Sequence, residues 1–335
     1  MSARDLLALL ADGGVHSGEQ LAQSMQISRT AVWKHIERLR TLGIAVTAQA
    51  RAGYRLERAV EMLDAGRIAA GIGATRRTSL ARLQVLFETG STNTLLLTGA
   101  QPPAGQGYAA LAEMQTEGRG RRGRRWVTPF GAGLALSMSW SFEHAPKDLS
   151  ALSLAAGVGV ARALSRLGAR GVRLKWPNDI WFQDRKMGGI LAEVRAESGG
   201  PAFVVVGLGL NLLHPAQVLP APALAEIAAG GVAPAALAEA CESPPSRNAV
   251  AAALLDEWLG ILAEFQQTGF APFRQEWLQL DALAGRAARV SLGEAEFLGT
   301  AGGIDADGGL LLEIQGQKRK FVSGEASLRP LAGAA

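Results

Sequence analysis

Between Gly118 and Trp126 three glycines are interleaved with five arginines, in the order Gly118-Arg119-Gly120-Arg121-Arg122-Gly123-Arg124-Arg125-Trp126. Five fixed charges resist burial together, and glycine weakens the interior of a helix or strand, so this run must be a loop. Glycine also lets the backbone take positive φ and approach a ligand closely. Each guanidinium offers a planar fork of donors matched to phosphate and carboxylate. The residues alone leave two readings open. One is a solvated basic loop, or a patch touching nucleic acid without specificity; the other is a cradle that wraps an anion. Just upstream, Tyr108 to Met114 reads as a strand, so the loop leaves the end of a sheet, where ligand loops collect.

The rest of the composition sets bounds on the answer. A chain of 335 residues has room for two or three domains and a substantial core. Hydrophobic residues at 48% and charged residues at 19% exclude a disordered chain. A formal charge of +4 calls for no polyelectrolyte partner, so the placement of the basic residues matters more than their sum. Cys241 is the single cysteine, which excludes an intramolecular disulfide framework and fits a reducing cytosol. His16, His35, His144 and His214 lack metal-ligand spacing, and no structural metal is expected. The apolar cluster Leu6, Leu7, Leu9 and Leu10 is interrupted by charge, so no signal peptide or membrane span is expected and the chain reads as cytoplasmic.

Near the N-terminus three helices are expected: Ser2 to Ala11, a second opened by the capping box Ser17-Gly18-Glu19-Gln20, and a third capped by Ser28 and ending before Gly43. On the third, Val32, Ile36 and Leu39 share one face and should pack inward. Thr30, Lys34 and Glu37 then point outward, with Trp33 and Arg38 beside them. Ile44 to Ala48 and Gly53 to Leu56 read as a hairpin with Arg51 at its tip, which completes a winged helix-turn-helix over residues 1–65. Gly18, Ser28, Arg29, Thr30, Trp33, Lys34, Glu37 and Arg51 are its candidate DNA-binding residues. A small bundle used for protein contact is the alternative. A linker is expected between Glu57 and Arg77.

The central region, 70–280, mixes strands and helices. Strands are expected at 84–87, 108–114, 134–139, 172–175, 179–182, 188–194 and 203–208, and helices at 152–168, 247–267 and 272–280. Ser91, Thr92 and Asn93 begin a helix, where hydroxyls serve as caps. Gly207 and Gly209 put bare backbone where a flat ligand could lie, or where strands pack closely. After Leu283, short alternating runs with glycine turns predict a small β-barrel over 283–332, which resembles an SH3-like terminal domain. The fold class is therefore α+β in three parts.

Three further motifs accompany the basic loop: Lys175-Trp176-Pro177-Asn178-Asp179, then Lys186-Met187-Gly188-Gly189, then Gly324-Glu325-Ala326-Ser327-Leu328-Arg329. In this order the set resembles the biotin protein ligases, close to the bifunctional type that is also the biotin operon repressor. The resemblance implies an ATP-dependent ligase that forms biotinyl-5′-adenylate with Mg2+ and passes biotin to a lysine of the biotin carboxyl carrier protein. It implies biotin contacts from Ser91, Thr92, Asn93, Gln115, Arg119, Gly120, Arg121, Lys186, Gly207 and Gly209. Contacts to ATP and the adenylate would come from Gly118, Arg119, Arg121, Arg122, Arg124, Trp126, Asn178, Asn211 and Arg329. Lys186 and Arg121 are the expected catalytic cations, and Asp179 the candidate for accepting or orienting the lysine proton, unless it only holds the Pro177-Asn178 turn. In such proteins a loop orders over the adenylate, and here Val218, Leu219, Leu224 and Ile227 are the residues available for it. With adenylate bound, a homodimer would bind the operator DNA of biotin-synthesis genes. A transcription factor that only senses biotin and a lipoate ligase on the same scaffold are the alternatives; the catalytic lysine and the basic loop argue against the first, and the Gly118–Gly123 loop with the attached DNA-binding domain against the second.

Overall fold

The computed structural model describes residues 2–196, 201–219, 224–225, 227, 232–322 and 326–331. The chain divides into two compact units, Met1–Asp64 with Ser246–Asn248, and Ala65–Pro245 with Ala249–Ala335.

In the first unit the capping signals act as the sequence predicts. Ser2 caps α1 (Ala3–Leu10), and Ser17 and Gln20 form a reciprocal box at α2 (Gly18–Ser24). Ser28 caps α3 (Arg29–Thr41), accepting from Ala31 N at 3.1 Å. Leu6, Leu7, Leu10, Leu21, Met25, Val32, Ile36 and Leu39 are buried and form the core. The antiparallel hairpin of β1 (Val46–Gln49) and β2 (Gly53–Leu56) follows. His16 adds to it, exchanging two backbone hydrogen bonds of 2.9 Å with Tyr54. Arg51 sits at the hairpin tip in the left-handed region, with φ 62°.

The second unit opens differently from expectation. The stretch read as a linker holds α4 (Ala65–Ala70) and α5 (Ala74–Arg77), and β3 (Leu80–Thr89) begins four residues before the expected Gln84. Helices of six and four residues are too short to show a periodicity that pattern reading can use; here an Arg76–Asp256 ion pair of 2.8 Å holds α5 to a distant helix. Then come α6 (Thr92–Thr98), β4 (Gly107–Gln115), β5 (Gly133–Phe142), α7 (Leu152–Arg166), β6 (Val172–Lys175), β7 (Asp179–Phe182), β8 (Arg185–Ala196) and β9 (Ala202–Asn211). The strands form a seven-stranded sheet in the order β3-β4-β5-β9-β8-β7-β6, parallel between β3 and β4 and antiparallel elsewhere. Leu96 of α6 packs on Ala110, Phe203 and Val205 on one face. On the other, Gly157 of α7 lies against Leu174 and Ile190. A short α8 (Leu237–Ala240), the long α9 (Arg247–Thr268) and α10 (Ala271–Leu280) complete the helices described here.

The C-terminal alternation folds into β10 (Ala287–Leu292), β11 (Ala295–Ile304), β12 (Leu310–Ile314), β13 (Gln317–Phe321) and β14 (Ala326–Pro330). These form a five-stranded antiparallel sheet ordered β13-β12-β11-β10-β14. Strand β14 was not expected as a strand; it pairs with β10, more than thirty residues away in sequence, which no local pattern announces. Gly324 and Glu325 of the motif before it lie outside the described residues. Hydrogen bonds from the loop after β6 and from α10 fasten this sheet to the rest of its unit. The buried Trp176 donates from Nε1 to Gly308 O at 3.1 Å, and Arg274 donates to Ile304 O at 2.9 Å and Asp305 O at 3.0 Å.

Candidate active site

Cross-strand register builds the floor of one cavity of about 480 Å³. Ser137, Gly207 and Leu191 are neighbours across β5, β9 and β8. One step along, Ala135, Gly209, Gly189, Asp179 and Lys175 form a second row across five strands. Residues in register share a face, so these rows present three glycines beside an ion pair.

The cavity is neutral and polar at one end. Ser91 caps α6, and the following residues are tied into a network. Gln115 Oε1 accepts from Thr92 N at 2.8 Å and Thr92 Oγ1 at 3.1 Å. Ser137 Oγ lies 2.7 Å from Thr92 Oγ1 and 2.6 Å from Asn93 Oδ1. Asn93 Nδ2 donates to Leu191 O at 3.1 Å and to Glu193 Oε2 at 2.8 Å. With both amide hydrogens and its oxygen engaged, Asn93 fixes the floor.

The other end is cationic. Arg119, Arg121, Arg122, Arg124, Arg125, Lys175, Lys186 and Arg329 line the cavity, and among the described residues Asp179 is the single lining carboxylate. The basic run is a compact hairpin: Trp126 N donates to Gly118 O at 2.8 Å and Gly120 N to Arg124 O at 2.7 Å. Its tip is turned by Arg122 and Gly123 at φ 57° and 70°. Arg119 donates to Thr94 Oγ1 at 2.7 Å and lies 3.6 Å from Glu193 Oε1. Arg121 reaches Asn178 Oδ1 at 3.4 Å, while Asn178 Nδ2 donates to Ile190 O at 2.5 Å. Burial and the neighbouring Arg122 pull the Arg121 guanidinium down in pKa, and Asp179 acts against them.

Asp179 lies between two lysines, with Oδ1 at 2.5 Å from Lys186 Nζ and Oδ2 at 3.1 Å from Lys175 Nζ. Burial alone would push its carboxyl up, but the Lys186 and Lys175 charges more than reverse that and bring it down to about 2. A carboxylate so acidic and doubly paired is a weak proton acceptor, and its two contacts suit it to orienting the lysines around it. Burial pushes the Lys175 ammonium down, and Asp179 opposes the shift.

Gly207 and Gly209 are closely packed and also border the cavity. A Cβ on Gly207 would overlap the Asn93 amide, and one on Gly209 would overlap the Trp126 indole. Both face protein side chains here, so glycine at these positions admits Asn93 and Trp126 against the sheet. Both glycines still line the cavity, as does Asn211, whose Nδ2 donates to Ala235 O at 3.0 Å. Of Val218, Leu219, Leu224 and Ile227, only Ile227 is among the lining residues. Segment 233–235 runs beside Lys186, with backbone hydrogen bonds of 2.8 Å in each direction. Among the described residues no group of three or more His, Cys, Asp or Glu side chains is arranged to hold a metal ion. No helix among them is long and apolar enough to cross a membrane.

The other predicted site lies in the first unit. Ser28, Arg29, Thr30, Trp33, Lys34 and Arg51 are exposed, Gly18 is half-buried, and Glu37 is half-buried and paired with Arg40 at 2.7 Å.

Residues 88–211 match the biotin/lipoate A/B protein ligase family, residues 3–55 an HTH domain, and residues 284–329 the biotin protein ligase C terminal domain. The bifunctional ligase/repressor BirA of Escherichia coli strain K12 is 40% identical over 324 residues, covering 97% of this chain and 96% of that protein. The chain belongs to the bifunctional biotin protein ligases. The ligase/repressor BirA of Bacillus subtilis strain 168 is 30% identical over 97% of this chain and 98% of that protein. The biotin protein ligase of Aquifex aeolicus, solved in complex with biotin and ATP, has a TM-score of 0.62 at 28% identity and covers 75% of this chain and 100% of that one. The ligase cavity contains residues that reading the sequence did not single out: Ser137, Lys175 and Arg125 line it, and Glu193 braces it. Lys175 belonged to a recognised motif and stands four residues before Asp179, so ion-pair spacing was a usable signal. Ser137 and Glu193 carry none, because their importance arises from register across β5, β9 and β8.

Proposed function

We propose that the cavity joins biotin to ATP as biotinyl-5′-adenylate and then transfers biotin to a lysine of the biotin carboxyl carrier protein, in the cytosol. The polarity split carries this reading. The Ser91, Thr92, Asn93, Gln115 and Ser137 end suits a ureido ring, which both donates and accepts hydrogen bonds. The cationic end suits a carboxylate and a triphosphate. In the first step a carboxylate oxygen of biotin forms a bond to the α-phosphorus, and the bond to pyrophosphate breaks. A carboxylate is ionised at neutral pH, so this step requires charge screening and alignment of two anions, with no base. Arg119, Arg121 and Lys186 supply that screening, Asp179 aims Lys186, and Gly118, Gly120 and the backbone at Gly207 and Gly209 allow close approach. Arg122, Arg124, Trp126, Asn178, Asn211 and Arg329 hold the nucleotide. Magnesium enters with ATP as part of the substrate.

In the second step the acceptor amine attacks the adenylate carbonyl, AMP leaves, and the amine proton passes to solvent. The cationic lining repels an ammonium ion and so favours the neutral amine, which removes the need for a strong base in the pocket. Residues 1–65, 70–280 and 283–332 act as DNA-binding, catalytic and closing segments. Residues Gly18, Ser28, Arg29, Thr30, Trp33, Lys34, Glu37 and Arg51 face the operator of biotin-synthesis genes, which an adenylate-bound homodimer represses. Incubation with ATP, a carrier domain and radiolabelled biotin or lipoate tests the ligase half. Label from biotin alone should reach the carrier. Transfer of lipoate, or of neither, overturns the reading.

A further inference from the structure

The outward face of α3 carries a residue to which the DNA reading assigns no chemical partner. Trp33 is 52% exposed, and its ring stacks on no aromatic or cationic side chain among the described residues. It is the fifth residue of α3, one turn from Arg29 and Thr30 and one turn before Glu37. Exposed Lys34 and Arg38 adjoin it, and exposed Arg51 stands on the neighbouring hairpin. Glu37 is engaged by Arg40, whose guanidinium also donates to Val46 O at 3.0 Å, so these two side chains fix the helix to the hairpin. Trp33 is therefore the large apolar group in an otherwise cationic and polar face. The early residues of a recognition helix are those that meet base edges in the major groove. Those edges are polar with one exception, the 5-methyl group of thymine.

We infer that Trp33 is a specificity-determining residue that reads a thymine methyl in each operator half-site, the cations around it holding the flanking phosphates. The inference rests on the DNA-binding reading and narrows it to a chemical group. An indole ring covers more area than the side chains that usually meet this methyl. It requires thymine at that step and rejects cytosine, which offers no apolar projection at C5. An apolar contact of this kind is insensitive to salt, unlike the phosphate contacts beside it.

The test uses the full chain with biotin and ATP. Duplexes are selected from a random-sequence pool, and each thymine of the enriched site is replaced singly by deoxyuridine, which removes only the methyl group. One thymine per half-site should lose about three- to fivefold in affinity on replacement, the loss carried by one buried methyl group. In Trp33→Ala that penalty should vanish at the same position, with other positions unchanged; Trp33→Phe should retain it. A penalty that persists in Trp33→Ala, or no methyl-sensitive thymine at all, overturns the assignment while leaving DNA binding intact. Failure to enrich any duplex overturns the DNA reading itself, and this assignment with it. Loss of self-association in Trp33→Ala with an unaltered uracil scan assigns Trp33 to a protein contact instead.

Discussion

Asp179 divides its carboxylate between Lys186 and Lys175, so the three side chains together carry one net positive charge. That surplus is available to an incoming anion, and Lys186, the more exposed of the two lysines, is placed to deliver it. Lys186→Gln keeps most of the length and leaves Asp179 paired with Lys175 alone. The loss of a charge-assisted contact made at the transition state should cost about 2–4 kcal/mol, a hundredfold or more in pyrophosphate release. An unchanged rate would exclude Lys186 from the chemistry. Glu193 offers a different kind of prediction, because it touches Asn93 and Arg119 and does not line the cavity. Glu193→Ala leaves Asn93 with Leu191 O and releases the Arg119 guanidinium from its neighbouring carboxylate. KM for biotin should rise about fivefold, the worth of one net hydrogen bond, with a smaller rise in KM for ATP through Arg119. Glu193→Gln keeps an acceptor for Asn93 and should recover most of the loss. An equal rise in both KM values would point to general loosening.

At the scale of elements, the joint between α10 and β10 holds an unfavourable charge. Asp281 follows α10, and its neighbour Ala282 donates to Leu174 O of β6 at 2.8 Å. Burial pushes the Asp281 carboxyl up to about 6, against a hydrogen bond from Leu283 N that pulls it down. For an acid with a raised folded pKa, the protonated form is favoured on folding. Its stabilising contribution is complete below the unfolded pKa of about 3.8 and is lost as pH rises through about 6. Asp281→Asn keeps an oxygen for Leu283 N without the charge. It should raise stability to urea by about 2 kcal/mol at pH 8 and change little at pH 4. A gain of the same size at both pH values would assign the effect to packing. Asp179 has the opposite sign: its lowered pKa contributes stability that persists as pH falls from neutral and is lost only through about 2.

Across the whole molecule, one winged helix presents few side chains to base edges, so specific binding calls for two copies on a pseudo-palindromic site. The basic hairpin and segment 233–235 both border the cavity, and an adenylate contacting them would order them before association. Ordering in advance removes an entropic cost from dimer formation, which couples ligand and self-association positively. Sedimentation should therefore show a weakly associating chain that becomes dimeric with biotin and ATP. Unmodified carrier protein, competing for the same state, should reverse it. Association independent of ligand would remove the coupling and leave the ligase alone.

Local chemistry was legible wherever a few adjacent residues suffice. Ser17 with Gln20 and Ser28 set the starts of α2 and α3, and Val32, Ile36 and Leu39 set which face is buried. The glycine–arginine run was readable as a loop, and its companions Lys175–Asp179 and Lys186–Gly189 placed the chain in its family. The cavity itself depends on distance in sequence. Ser137, Gly207 and Leu191 meet because three strands align, and Asn93 and Trp126 lie on Gly207 and Gly209 because α6 and the basic hairpin fold onto that sheet. The surroundings of Asp179 were hidden for the same reason. By sequence it is an acid four residues after a lysine; only the hairpin of β7 and β8 brings the second lysine to its other oxygen and lowers its pKa further. Backbone propensity and side-chain pattern act over a turn or two, whereas the charge state of a buried group is set by everything the tertiary fold packs around it.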